Sequence, residues 1–333
     1  MISVGKTDKL ESIGYRAFYN CVNLRGDNGN LTLSKVDSIP EQAFYGCKVL
    51  EKISLSNSLN YIGSEAFSGC SHLNSVTYPS SIKDVNASSF TGTQWIASLP
   101  IQNGIKYMGN IALSYDVAKG EEASSSATLS FREGTISIAN DFTSSIKSSL
   151  TVTKLVLPST LKYIGTNALA AGNYFKPNYD AIVFPEGLEE IGRCAFYGSG
   201  QLTTVNILKN VKKIGSQAFG KCDKLSQITY NAINAEGREA FARMSGLAKV
   251  IIGPQVKSLP VEMFSGCSDL VIVKMAGLTK PFGIEENTFT NRKNARLYIP
   301  VGSKAKYEAA DYWKEFNPTL TPSVKVSEKM ALL

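Results

Sequence analysis

A short unit repeated at a nearly fixed period restricts a chain to very few folds, and this sequence carries one in two long runs. With phenylalanine as the marker, Phe18, Phe44, Phe67 and Phe90, then Phe196, Phe219, Phe241, Phe264 and Phe289, are spaced within each run by 22 to 26 residues. Five positions before the marker stands Ile13, Ile39, Ile62, Val85, Ile191, Ile214, Leu259 or Ile284, and only before Phe241 does the count fall on a polar residue, Glu236. Alanine usually precedes the marker, as at Ala43, Ala66, Ala195, Ala218 and Ala240. Cysteine follows three later at Cys21, Cys47, Cys70, Cys222 and Cys267, and leucine six later at Leu24, Leu50, Leu73, Leu202, Leu225, Leu247 and Leu270. The unit reads L-x-x-I-x-L-P-x-x-L-x-x-I-G-x-x-A-F-x-G-C.

Each part of the unit has a conformational meaning. The L-x-x-I-x-L piece alternates apolar with other residues, the period of a strand. The proline after it has no N–H to donate to a ladder and ends the strand. The I-G pair reads as a second short extended piece with a turn glycine, and A-F-x-G-C as one helical turn closed by a small residue. A unit of this size buries no core alone. Stacked copies do, and each column then becomes a ladder of like residues about 4.8 Å apart. The period therefore predicts a single right-handed, curved coil of short parallel strands, mostly β, with single helical turns at its corners.

The I-G-x-x-A-F-x-G-C-x-x-L core resembles that of the BspA-like, Treponema pallidum-type leucine-rich repeat proteins. Seven copies fit well, at Phe18, Phe44, Phe67, Phe196, Phe219, Phe241 and Phe264, and those at Phe90, Leu169 and Phe289 are degenerate. The segment GTQWIASLPIQNGIKYMGNIALSYD (92–116) resembles the irregular insert of that family, and LYIPVGSKAKYEAADYWKEF (297–316) resembles its closing unit. The resemblance implies a leucine-rich repeat solenoid on a cell surface or secreted, binding a host surface or matrix protein or another bacterial surface protein. It brings no shared catalytic residues and no cofactor.

The expected organisation is one solenoid over 1–316: N-terminal repeats 10–92, an irregular insert with a degenerate repeat 93–150, C-terminal repeats 151–296, a capping unit 297–316, and a tail 317–333. Within the insert, NGIKYMGNIALSYD predicts a hairpin turning at Gly109-Asn110. AKGEEASSSA (118–127) reads as a flexible polar loop, after which Ile138 returns to its column with Phe142 one residue early. The interruption is either a functional protrusion or an irregular extension of the coil. In the capping unit, Ser303 is placed to cap a helix carrying Ala305, Ala309, Trp313 and Phe316 on one face, with Trp313 over the last coil.

Composition removes several functions. No apolar run approaches the roughly 18 residues of a membrane span. The net charge of +7 is spread out, and the basic clusters KNVKK (209–213) and NRKNAR (291–296) are short and lack interleaved aromatics, against a nucleic-acid surface. The opening MISVGKTDKL has no apolar h-region, so a trimmed surface protein is expected. The single histidine, His72, sits in a variable turn position and reads as a solvated imidazole rather than a general base. The cysteines include no C-x-x-C, so they do not form a zinc signature. Their column places Cβ vectors parallel rather than converging, which argues for free, buried thiols, with Cys194, off the column, also free. No catalytic, cofactor or metal residue is expected.

What remains is binding or scaffolding. The outward positions of the strands are Ser54, Thr77, Val156, Val183, Asn206, Thr229, Ile251, Lys274 and Tyr298. Only the last is aromatic, against a sugar platform. Val156, Val183 and Ile251 are apolar where water is expected, which fits either a contact surface or the strand preference of β-branched residues. The candidate partner-binding set is thus Val156, Val183, Asn206, Thr229, Ile251, Lys274 and Tyr298. The alternative is a structural spacer within a larger surface protein.

Overall fold

The computed structural model describes residues 10–116 and 127–317. The polar loop read at 118–127 and the tail lie outside these residues except at their inner ends. The chain is a leucine-rich repeat solenoid of short parallel strands with few helices. Its residues group into two compact units, the first comprising 10–116, Leu129–Leu150 and Tyr163–Phe175, the second 127–128, Thr151–Lys162 and 176–317.

In the first unit, the L-x-x-I-x-L pieces form a parallel sheet of Asn30–Leu33, Lys52–Leu55 and Ser75–Thr77. Its register places Leu31, Ile53 and Val76 inward, and Thr32, Ser54 and Thr77 outward. The I-G pieces form a narrower sheet in which Ile39, Ile62 and Val85 are in register and fully buried. Between them run the phenylalanines: successive ring centroids from Phe18 to Phe90 are 5.0, 5.2 and 5.2 Å apart, with planes within 8° of parallel. Strand spacing imposes this stack, since every repeat places its ring at the same point of the cross-section.

The corners differ from the expected helical turn. In the second repeat, alternate N–H groups bond backwards within the coil, Ala43 to Pro40, Tyr45 to Gln42 and Cys47 to Phe44. The intervening ones, of Gln42, Phe44 and Gly46, donate to the carbonyls of Ser64, Ala66 and Ser68 in the next coil. A continuous helix would turn all N–H groups along its own axis and leave the coils unlinked. Left-handed residues before and after the marker make the alternation possible, Gln42 at φ 54° and Gly46 at φ 70°. The cysteine column completes the corner: the thiols of Cys47, Cys70, Cys222 and Cys267 each donate to the carbonyl of a phenylalanine one coil back, at 3.0–3.4 Å.

The insert begins with a short helix, Gln94–Ser98, capped by the Thr93 hydroxyl, which accepts from the Ile96 N–H at 3.1 Å. Its Trp95 closes against Phe90 edge-on at 4.6 Å. The hairpin forms as read: Ile105–Met108 pairs antiparallel with Ile111–Tyr115 across Gly109-Asn110, and Ile101–Gln102 adds a third strand. Ile111–Tyr115 also pairs in parallel with Ser137–Ile138, which pairs in turn with Tyr163–Ile164, so the hairpin opens a second sheet of I-G strands, separate from the one holding Ile39, Ile62 and Val85. In the degenerate repeat, the Thr143 N–H donates to Ala168, the bond that the marker phenylalanine makes elsewhere, while Phe142 fills the core from the alanine position.

The second unit repeats the plan. Its wide sheet runs Thr204–Ile207, Gln227–Tyr230, Lys249–Ile252, Ile272–Met275 and Arg296–Tyr298, all parallel. Phe196, Phe219, Phe241, Phe264 and Phe289 stack at 5.3, 4.9, 5.8 and 5.1 Å. Glu236 is not the occupant of the isoleucine column: Gly237 pairs with Ile214, because this repeat is one residue shorter. The I-G glycine proves to be an approach rather than a turn requirement, since a Cβ on Gly215 would meet the Arg193 amide nitrogen at 2.2 Å. Along the narrow side Glu189 receives Lys212 at 2.6 Å and Lys162 at 3.6 Å, and Lys213 reaches Glu190 at 2.7 Å.

The capping helix is corrected. It consists of one turn, Lys304–Glu308, and a separate 3₁₀ turn, Trp313–Glu315, with Tyr312 at φ 61° between them. Ser303 gives no side-chain cap to the helix; its hydroxyl donates to the Pro300 carbonyl. Ala305 and Ala309 are exposed, and the covering face is instead Tyr307, Trp313 and Phe316. Trp313 lies 6.0 Å from Phe289 and donates its indole N–H to the Phe282 carbonyl at 2.7 Å.

Candidate partner-binding face

Strand alternation sets out the candidate face. In the wide sheet of the second unit, Val205, Ile228, Val250, Val273 and Leu297 form one inward row, fully buried or nearly so. Side chains on either side of each point the other way. They make two outward rows in strict register: Asn206, Thr229, Ile251, Lys274 and Tyr298 in one, and Thr204, Gln227, Lys249, Ile272 and Arg296 in the other. All ten are exposed or half-buried.

Five of the seven residues read from sequence are therefore brought together in one row. Val183 belongs to no strand, but it is 83% exposed and precedes Asn206 by one repeat, the offset fixed by the Thr203 N–H bonding to Asp180. Val156 does not join them. It ends the strand Leu150–Val156, outside the five-stranded sheet, and is half-buried. In the first unit, Ser54 bonds Asn30 at 3.2 Å and Thr77 is exposed, so that face is small and polar. The second outward row escaped the sequence reading, although its signal was present: each member lies two residues before one already named.

The chemistry elsewhere is quiet. His72 is exposed, and its Nδ1 lies 2.6 Å from the Lys48 carbonyl oxygen and 3.3 Å from the Ser71 hydroxyl, with no carboxylate in that contact set. Burial pushes the Cys222 thiol up to about 12 and that of Cys267 to about 11; the neighbouring Cys70 thiol and burial raise Cys47 further. Thiols held in that form are poor nucleophiles. Among the described residues no three His, Cys, Asp or Glu side chains gather to hold a metal, and no helix is long and apolar enough to cross a membrane.

Comparison with known proteins agrees with the repeat. The BspA type leucine rich repeat region, in six copies, matches residues 2–118 and 170–296. No curated protein matches the chain. Among solved structures, the pneumococcal vaccine antigen PcpA is 19% identical, over 86% of this chain and 78% of that one, with a TM-score of 0.38. A leucine rich cell surface protein of Faecalibacterium prausnitzii is also 19% identical, over 90% and 66%, with a TM-score of 0.30. The T. pallidum leucine rich repeat protein is 19% identical over 75% and 69%, with a TM-score of 0.19.

Proposed function

We propose that this chain, which belongs to the BspA-type leucine-rich repeat family, is a non-enzymatic binding module, displayed on a cell surface or secreted, whose protein partner docks on the outward rows of the second unit's wide sheet. One observation carries the reading. Ile251, Ile272 and Tyr298 are apolar or aromatic groups left half-exposed on three neighbouring strands, diagonal to one another, on the outward side of a hydrogen-bonded sheet whose core is the inward row. Each has apolar area to lose on contact, at about 25 cal/mol per Å² before association costs. Exposed positions that do not support the fold are free to be shaped by a partner. Membership of the family supports the surface or secreted location.

The test is a cross-linking capture from host matrix and from bacterial surface extracts, run with the native chain and with a Val183→Ser, Ile251→Ser, Tyr298→Ser variant of unchanged circular dichroism. A protein captured by the first and lost by the second is the expected result. Equal capture by both would move the binding site elsewhere, first to the insert at 93–127. No captured protein in either extract would favour the spacer.

A further inference from the structure

Resting on that docking face, we infer that its partner is acidic: a protein segment whose Asp and Glu side chains pair with Lys249, Lys274 and Arg296 while its apolar or aromatic side chains cover Ile251, Ile272 and Tyr298. The register sets out the pattern. Lys249 and Arg296 share one outward row with Ile272 between them, and Lys274 stands in the other between Ile251 and Tyr298. Cations and apolar groups thus alternate across three neighbouring strands. One strand over and two residues along separates successive cations by about 8 Å at backbone level. That is about the Debye length at physiological salt, so their fields overlap rather than act singly.

Nothing on the face offsets them. Its ten positions include no Asp or Glu, and among the described residues Lys249, Lys274 and Arg296 make no ion pair or side-chain hydrogen bond. Some cations elsewhere in the unit do find carboxylates: Lys162 and Lys212 meet Glu189, Lys213 meets Glu190, Arg238 meets Glu262 and Arg292 meets Glu315. The corresponding rows of the first unit hold one cation, Lys52, among Asn30, Ser75, Thr32, Ser54 and Thr77. This face therefore carries three cations without a carboxylate partner interleaved with half-exposed Ile251, Ile272 and Tyr298. A patch of one sign favours a partner of the other sign. The interleaved Ile251, Ile272 and Tyr298 favour protein over a sulfated glycan, whose polar surface gives isoleucine no cover.

The probe is a soluble poly(Glu,Tyr) copolymer, with polyglutamate and heparin beside it, titrated against the full chain by biolayer interferometry. Poly(Glu,Tyr) is expected to bind more tightly than either, and to weaken severalfold between about 50 and about 300 mM salt. The Lys249→Gln, Lys274→Gln, Arg296→Gln variant, with its thermal melt as the folding control, is expected to bind about tenfold more weakly. Unchanged binding by a folded variant, or heparin bound in preference to poly(Glu,Tyr), overturns the inference. The two readings separate in the capture experiment. If the serine variant loses a captured protein and the glutamine variant keeps it, the face docks proteins without acidic preference; if neither variant affects capture, the docking reading itself fails.

Discussion

The stacked phenylalanines make a quantitative claim about how stability is distributed along the repeats. Phe44 is fully buried, with Phe18 at 5.0 Å on one side and Phe67 at 5.2 Å on the other. Replacing it with alanine leaves a closed void, for which phenylalanine-to-alanine changes cost about 3–5 kcal/mol. Two lost ring contacts, at about 0.5–1.5 kcal/mol each, place Phe44→Ala in the upper half of that range. Phe18 is half-buried and, among the described residues, stacks only on Phe44. Its removal opens space that water can enter, so only part of the roughly 1.5–3 kcal/mol of transfer energy is lost, about 1–2 kcal/mol in all. The two variants should differ by at least about twofold, because a repeat stack is stabilised by contacts between nearest neighbours. Urea titration followed by Trp95 fluorescence measures this directly. Trp95 lies 4.6 Å from Phe90 in the same unit, and a Trp313→Phe background leaves it the sole reporter of the two tryptophans. Equal losses at the two positions, or a loss below about 2 kcal/mol for Phe44→Ala, would show that the ring column does not carry the stack.

Three further outcomes follow from individual positions. Arg243 sits left-handed at φ 59° in the place where Gly46, Gly69, Gly198 and Gly266 stand in other repeats, so Arg243→Gly should stabilise the chain by about 0.5–1 kcal/mol after the entropy of glycine is subtracted, read as a higher urea midpoint. The Lys212 ammonium beside Glu189 holds that carboxyl below its usual range near 4.5, so its contribution is present above that pH and is lost as acid protonates it; Glu189→Gln should cost under about 1 kcal/mol at pH 7 and converge with the native chain as acid is added. All six thiols should titrate in denaturant, whereas in the folded chain the half-buried Cys21 and Cys194 should react first and Cys47, Cys70, Cys222 and Cys267 stay protected; a disulfide recovered by non-reducing digestion would contradict the free-thiol reading.

The period, the columns and the strand alternation were legible in the sequence because each is a one-dimensional signal: a marker every 22 to 26 residues fixes which side chains coincide in every coil. From that came the buried phenylalanine ladder and the outward row from Asn206 to Tyr298, while the hairpin came from local alternation around the Gly109-Asn110 turn. Three features depended on coil meeting coil. The corners write A-F-x-G-C like a helical turn, yet alternate N–H groups leave it for the next coil, and only the neighbour's carbonyls make that pattern pay. Gly215 looks like a turn glycine, but the Arg193 backbone lying against it is what excludes a side chain. Glu236 reads as a polar break in an apolar column until the pairing of Gly237 with Ile214 shows that the repeat is one residue short. In the capping unit Trp313 and Phe316 cover the last coil as read, but Ala305 and Ala309 do not, for the same reason. Helical spacing favoured Ala305 and Ala309, whereas the surface to be covered, ending in Phe289, selected Tyr307, Trp313 and Phe316. The second outward row, with Lys249 and Arg296 flanking Ile272, acquired meaning only when register placed it beside Lys274 and Tyr298, because charges 22 to 25 residues apart in the chain become neighbours only across strands about 4.8 Å apart.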